Sequence, residues 1–110
     1  MRLVPMWTLD AGLTMAAQVQ AGSRKFGYHV ALGGGVLNRG ESFKDLDVYF
    51  LPLDSDTMSP DSAGVLTWLE SLWGVSESIN DPNYGPSPYY KLKLKFYPEN
   101  RRIDVFVVGG

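Results

Sequence analysis

The sequence predicts a small α/β (α+β) domain: a mixed β-sheet with helices packed on it and a β-hairpin at its C-terminal end. Three observations point there. Two segments place apolar residues at helical spacing and end at glycines, several short runs are apolar or alternate like strands, and Pro, Gly and Asn clusters separate them. At 110 residues the chain reads as one domain over residues 1–110, with a real core and little room for a second.

Met1 to Trp7 is apolar, a short strand or a lead-in packed against the domain. From Thr8 to about Phe26 the spacing of Leu9, Leu13, Ala16, Ala17 and Gln20 predicts a helix, with Thr8 or Asp10 as N-cap and Gly27 as its end. Tyr28, Val30 and Leu32 alternate with His29 and Ala31 as a first, largely buried strand. Val36 to Arg39 forms one or two helical turns before Gly40. Asp45 to Leu53 is the second strand, with Leu46, Val48 and Phe50 on one face and Asp45, Asp47 and Tyr49 on the other. After a turn-rich loop over Pro52–Ser59, Ser59-Pro60-Asp61 starts a helix: Ser as cap, Pro at the first helical position, an acid in the first turn. Val65, Leu66, Leu69, Leu72 and Trp73 form its apolar stripe and Gly74 closes it. Asn80 to Pro88, rich in proline, reads as a loop. Tyr90 to Tyr97 alternates as a strand with one wet face, Pro98 to Arg101 turns, and Arg102 to Val108 returns as the second arm of a hairpin.

The bulk chemistry excludes several classes. A net charge of −2 gives no support to general binding of nucleic acid or anionic membrane. The absence of cysteine excludes disulfides and thiolate metal sites, and a single histidine, His29, excludes a His-rich zinc site. No apolar run is long enough for a signal peptide or a membrane span, so the expectation is a soluble, cytoplasmic protein.

One stretch concentrates the chemistry. Gly33-Gly34-Gly35 follows a predicted strand, and about a dozen residues later Asp45-Leu46-Asp47 opens another. Glycine amides ahead of a helical turn can face phosphate oxygens. Two aspartates spaced by two on a strand point to one face, their Cα atoms about 6.5–7 Å apart. Carboxylates so placed can bridge one Mg²⁺ and contribute to a second, and two ions about 3.5–4 Å apart serve phosphoryl or nucleotidyl transfer. Asp104, an acid inside the apolar run Arg102-Ile103-Asp104-Val105-Phe106, is the candidate third ligand. A lone charge buried there is costly, so it must be paired, metal-bound or at the sheet's face. The bland alternatives are surface acids at a strand start and a tight glycine turn between packed elements. Two phosphate loops are rejected. Gly-x-Gly-x-x-Gly lacks its third glycine, and the near P-loop from Gly35 to Ser42 has Glu41 where lysine is required.

Leu32-Gly33-Gly34-Gly35-Val36 followed by Asn38-Arg39-Gly40-Glu41-Ser42-Phe43-Lys44-Asp45-Leu46-Asp47-Val48 resembles the nucleotidyltransferase superfamily that includes DNA polymerase β. It is most similar to the tRNA CCA-adding enzyme and poly(A) polymerase branch, and to the minimal stand-alone domains of that fold. The resemblance covers about residues 8–53, with Asp104 joining through its strand context. It implies a nucleotidyltransferase-like core and Mg²⁺-dependent transfer of a nucleoside monophosphate from an NTP, ATP above all, to a hydroxyl of RNA, protein or a small molecule. By the same resemblance Gly33, Gly34, Gly35 and Ser42 hold triphosphate, and Asp45, Asp47 and Asp104 bind two Mg²⁺ or Mn²⁺ ions. Arg39 and Lys44 neutralise phosphate charge or are simply solvated. Nothing in the remaining chain resembles the helical domains that select acceptors in the larger enzymes. The alternative is therefore an inactive nucleotide-sensing or partner-binding module on the same fold, and either reading leaves room for a partner subunit or a second copy.

Other residues carry weaker signals. Lys91, Lys93 and Lys95 with Arg101 and Arg102 form a phosphate-backbone track or blunt an edge strand. Tyr84, Tyr89 and Tyr90 stack a base or anchor a loop. Trp68 and Trp73 read as helix packing, and His29 as a hydrogen-bonded structural histidine.

Overall fold

The structure, a computed structural model, describes residues 6–33, 40–42, 45–53, 60–79 and 90–108. Helix α1 (Leu9–Ser23) begins at Thr8, whose hydroxyl accepts the Ala11 N–H at 3.2 Å and leaves Asp10 in the first turn. A 3₁₀ turn (Arg24–Phe26) prolongs it to Gly27. There the backbone turns left-handed, φ +86°, and the Gly27 N–H closes on the Arg24 carbonyl at 3.0 Å. That conformation favours glycine over any side chain.

Helix α2 (Ser62–Trp73) corrects the sequence reading at its start. Its N-cap is Asp61, whose Oδ1 accepts the Gly64 N–H at 2.8 Å, so Pro60 precedes the helix; Ser59 lies outside the described residues. A carboxylate caps as well as serine does and adds charge opposite the positive end of the helix dipole. Gly74 ends α2 as predicted, bonding back to the Glu70 carbonyl.

Five strands make the main sheet, in the order β2 (Tyr28–Gly33), β4 (Asp45–Pro52), β7 (Arg102–Val108), β6 (Tyr90–Phe96), β5 (Glu77–Ser78). Only β4 and β7 run parallel; β6 and β7 form the predicted hairpin. A separate two-stranded ladder joins β1 (Trp7–Thr8) to β3 (Glu41–Ser42). The sequence reading missed β3 and β5. Each is two residues long, too short for an alternating pattern to show.

Both helices cover one face of the sheet. Val19 of α1 and Val65 and Leu69 of α2 pack on Leu46, Val48 and Phe50 of β4 and on Ile103, Val105 and Val107 of β7, all essentially out of solvent. Each such side chain contributes about 1.5–3 kcal/mol relative to exposure. Trp73 packs edge-on against Phe96, and Trp68 lies against Phe26, so both tryptophans pack as expected. Leu72 does not join the stripe and is 53 % exposed.

Alternation and register assign the opposite face. It carries Gly33 of β2, Asp45, Asp47 and Tyr49 of β4, Arg102, Asp104 and Phe106 of β7, and Lys93 and Lys95 of β6. His29 points that way too, but it is exposed at the sheet's edge strand rather than held in the interior. Nor is β6 a bare edge along its second half, since Lys95 pairs with Glu77 of β5 in the ladder and through a 3.5 Å ion pair. Among the described residues no helix is long and apolar enough to cross a membrane. The predicted loop over Asn80–Pro88, with Tyr84 and Tyr89, and the short helix over Val36–Arg39 lie outside the described residues.

Candidate metal centre

The parity of β4 places Asp45 and Asp47 side by side on the face opposite α1 and α2, as the sequence required. The parallel register then sets Asp47 directly opposite Asp104, and Asp45 opposite Arg102. Parallel neighbours stand about 4.8 Å apart. Carboxylate oxygens of Asp45, Asp47 and Asp104, one from each, all lie within 4.8 Å of one another. The acid from the far end of the chain thus reaches the pair from the middle.

Three carboxylates at that spacing repel unless cations offset them. One cation is built in. Arg102 and Asp104 are two apart on β7 and share a face, and the guanidinium grips the carboxylate as a fork: Nε donates to Oδ1 at 2.7 Å and Nη2 to Oδ2 at 3.2 Å. Asp104 is fully buried and the Arg102 side chain is 25 % exposed, so the pair is well screened from water. The hydrogen bond to Asp104 raises the Arg102 pKa above its usual range against the opposing effect of burial, and the charges of Asp104, Asp45 and Tyr97 add to it. Three acids and one guanidinium give this group of four a formal charge of −2. Its ligand atoms are hard carboxylate oxygens, and Asp47 Oδ1 is shielded from solvent. Such a donor set suits Mg²⁺, Mn²⁺ or Ca²⁺ rather than a thiophilic metal.

The glycine cluster meets the site through Gly33. It ends β2 opposite Asp47, and a Cβ there would stand 2.6 Å from Cε2 of Tyr49. Tyr49 in turn stacks on Phe106, ring centroids 5.0 Å apart and planes 20° from parallel. A side chain at position 33 is therefore excluded by an aromatic ring, a reason the sequence did not disclose. Ser42 sits in β3, paired with Trp7, ahead of Asp45. Gly34, Gly35, Arg39 and Lys44 lie outside the described residues.

Arg102 is the site residue that sequence reasoning misassigned, as a neighbour of the lysine track. The parity that united Asp45 with Asp47 would have put Arg102 beside Asp104. Tyr49 and Phe106 escaped notice because each reads as an ordinary strand aromatic.

No protein-family model matches the chain, and neither a curated protein nor a solved structure does. The case for a function rests on the site.

Proposed function

We propose that the chain is a divalent-metal-dependent nucleotidyltransferase that moves a nucleoside monophosphate from an NTP, ATP foremost, to a hydroxyl acceptor and releases pyrophosphate. The observation that carries the reading is the convergence of Asp45, Asp47 and Asp104 within 4.8 Å on the sheet face opposite α1 and α2. The motif running from Gly33 to Val48 supports it, being similar to the phosphate- and metal-binding segment of that superfamily.

Asp45, Asp47 and Asp104 would hold the metal. Mg²⁺ or Mn²⁺ there supplies positive charge that stabilises the anionic transition state of phosphoryl transfer and lowers the pKa of a bound hydroxyl. The protein's own residues do the placing. Arg102 fixes both oxygens of Asp104. Ser42, Gly34, Gly35, Arg39 and Lys44 are the candidates for the triphosphate, by motif position. An acceptor RNA or protein, and a second copy or partner subunit that helps seat it, belong to the same proposal, as does a cytoplasmic setting.

A second reading has one observation in its favour. Asp104 is wholly buried and both of its oxygens are already engaged by Arg102, which suits a module that binds nucleotide without turning it over. Incubation with each labelled NTP, Mg²⁺ or Mn²⁺, and a mixture of RNA and protein separates the two. Transfer of label identifies the enzyme; NTP-dependent thermal stabilisation without transfer identifies the binding module. Asp47→Asn should reduce transfer by on the order of 10²-fold or more while the circular dichroism spectrum stays native. Wild-type turnover in that variant would remove the site assignment.

A further inference from the structure

Trp7 belongs to no motif, yet it is bonded to the first residue of β7 and paired with β3, which precedes β4 in the chain. Its ring is 1 % exposed. The indole Nε1–H donates to the Arg102 carbonyl at 2.8 Å, across 95 residues of sequence. The Arg101 guanidinium lies over the ring, 4.1 Å from its centroid. The Trp7 backbone pairs with Ser42 just ahead of Asp45, and two residues on the Leu9 N–H donates to the Gly40 carbonyl at 2.8 Å. One short N-terminal strand is thus fastened both to the segment leading into β4 and to the first residue of β7.

We propose that Trp7 is a positioning residue for the carboxylate cluster: its indole N–H holds the Arg102 backbone, the Arg102 fork orients Asp104, and this sets the site's affinity for a divalent cation. The inference rests on the metal-binding reading above. The Arg102 carbonyl and side chain leave one Cα whose φ and ψ are those of an extended strand, so with the backbone of β7 in place, holding the oxygen also limits where Cβ points. The fork has little slack: a displacement of half an ångström takes the 3.2 Å contact beyond hydrogen-bond range. Metal ligands need placement of about that precision, and supporting residues beyond the ligands supply it. The indole suits the task because it has a single N–H with one direction, and a buried indole keeps its partner.

The test uses Trp7→Phe, which retains an aromatic ring and the β1–β3 pairing and removes the N–H together with the second ring of the indole. Ile103→Val is the control, a small cavity on the helix-covered face of the same strand that lowers stability without touching the Arg102 carbonyl. Mn²⁺ affinity is measured by calorimetry and by the electron paramagnetic resonance of bound Mn²⁺, with no substrate present. Trp7→Phe should bind Mn²⁺ about tenfold more weakly, and Ile103→Val like the wild type. A second measurement needs no variant that must fold: on titrating Mg²⁺ into the ¹⁵N-labelled wild type, the Trp7 indole N–H signal should move while those of Trp68 and Trp73 stay. Equal Mn²⁺ affinity in wild type and Trp7→Phe, equal weakening in both variants, or a stationary Trp7 signal under Mg²⁺ that binds would overturn the role of Trp7 and leave the metal site standing. Absence of Mn²⁺ binding in the wild type would instead overturn the metal reading, and the role of Trp7 with it.

Discussion

Replacing Arg102 by methionine takes a guanidinium fork away from a carboxylate that has no exposed surface. The methionine stem keeps most of the packing along the strand, so the change is chiefly electrostatic. Two donors are lost, at 2.7 and 3.2 Å, from an acceptor that water does not reach in the folded state. Asp45 and Asp47 stand close by, so the charge left behind is also repelled by its neighbours. Breaking a buried pair by removing one partner costs about 3–5 kcal/mol. In a domain of this size that corresponds to a fall in Tm on the order of 15 °C or more. Arg102→Lys keeps the charge but not the fork and should fall between wild type and Arg102→Met. The double variant Arg102→Met/Asp104→Asn removes the orphaned charge and should recover most of the loss. Thermal unfolding followed by circular dichroism at pH 7 decides it. A melt of Arg102→Met within a few degrees of wild type, or a double variant no more stable than the single one, would refute the claim that Arg102 offsets the buried charge of Asp104. The Arg102 pKa is raised above its ordinary, strongly alkaline value, so its contribution is fully present below that value and is lost only as pH rises through the higher folded one; the expected difference is flat through neutral pH.

Gly33→Ala sets a methyl against the Tyr49 ring, where the nearest carbon would be 2.6 Å away, and should cost about 1–3 kcal/mol in a denaturant melt. Glu99 has φ +55° and Asn100 φ +62° at the turn of the β6–β7 hairpin, so Glu99→Gly should raise stability by about 0.5–1 kcal/mol, less whatever the exposed Glu99–Arg101 pair contributes. Burial, and then the charge of Asp61, raise the Tyr28 phenol above its usual 10, with a Ser62 hydrogen bond opposing. Its contribution is present below pH 10 and lost as pH rises through the folded value, so an alkaline decline in stability seen in the wild type should be smaller in Tyr28→Phe.

The main elements were legible because their signals are local. Thr8 and Gly27 mark the ends of the first helical segment by a side-chain oxygen and a left-handed glycine, and both act within a few residues. The burial alternation of β4 is complete in the sequence, Leu46, Val48 and Phe50 inward against Asp45, Asp47 and Tyr49. The miss at α2 is local too: Ser59, Pro60 and Asp61 each satisfy a rule for helix starts, and only the bond from the Gly64 N–H singles out Asp61. The strands β3 and β5 exist through their partners, which lie far along the chain, and no periodicity within two residues could have announced them; β1 was foreshadowed only by the apolar character of the residues up to Trp7.

The site divides along the same line. That Asp45 and Asp47 share a face follows from strand parity alone. That Asp104 joins them depends on β4 and β7 being adjacent and parallel in a register that sets residue 47 against residue 104, and no short-range rule specifies a register. The sequence could still narrow the choice, because an acid within Ile103–Val107 cannot sit on the core face without a large penalty. Asp104 was therefore bound for the face opposite α1 and α2, and the strand's parity carried Arg102 there with it. Those constraints together explain why a charged pair stands in an otherwise apolar strand. Arg102 lets Asp104 be buried beside two like charges, and with them it forms a group of three carboxylates that, in the proposed function, would hold a divalent cation.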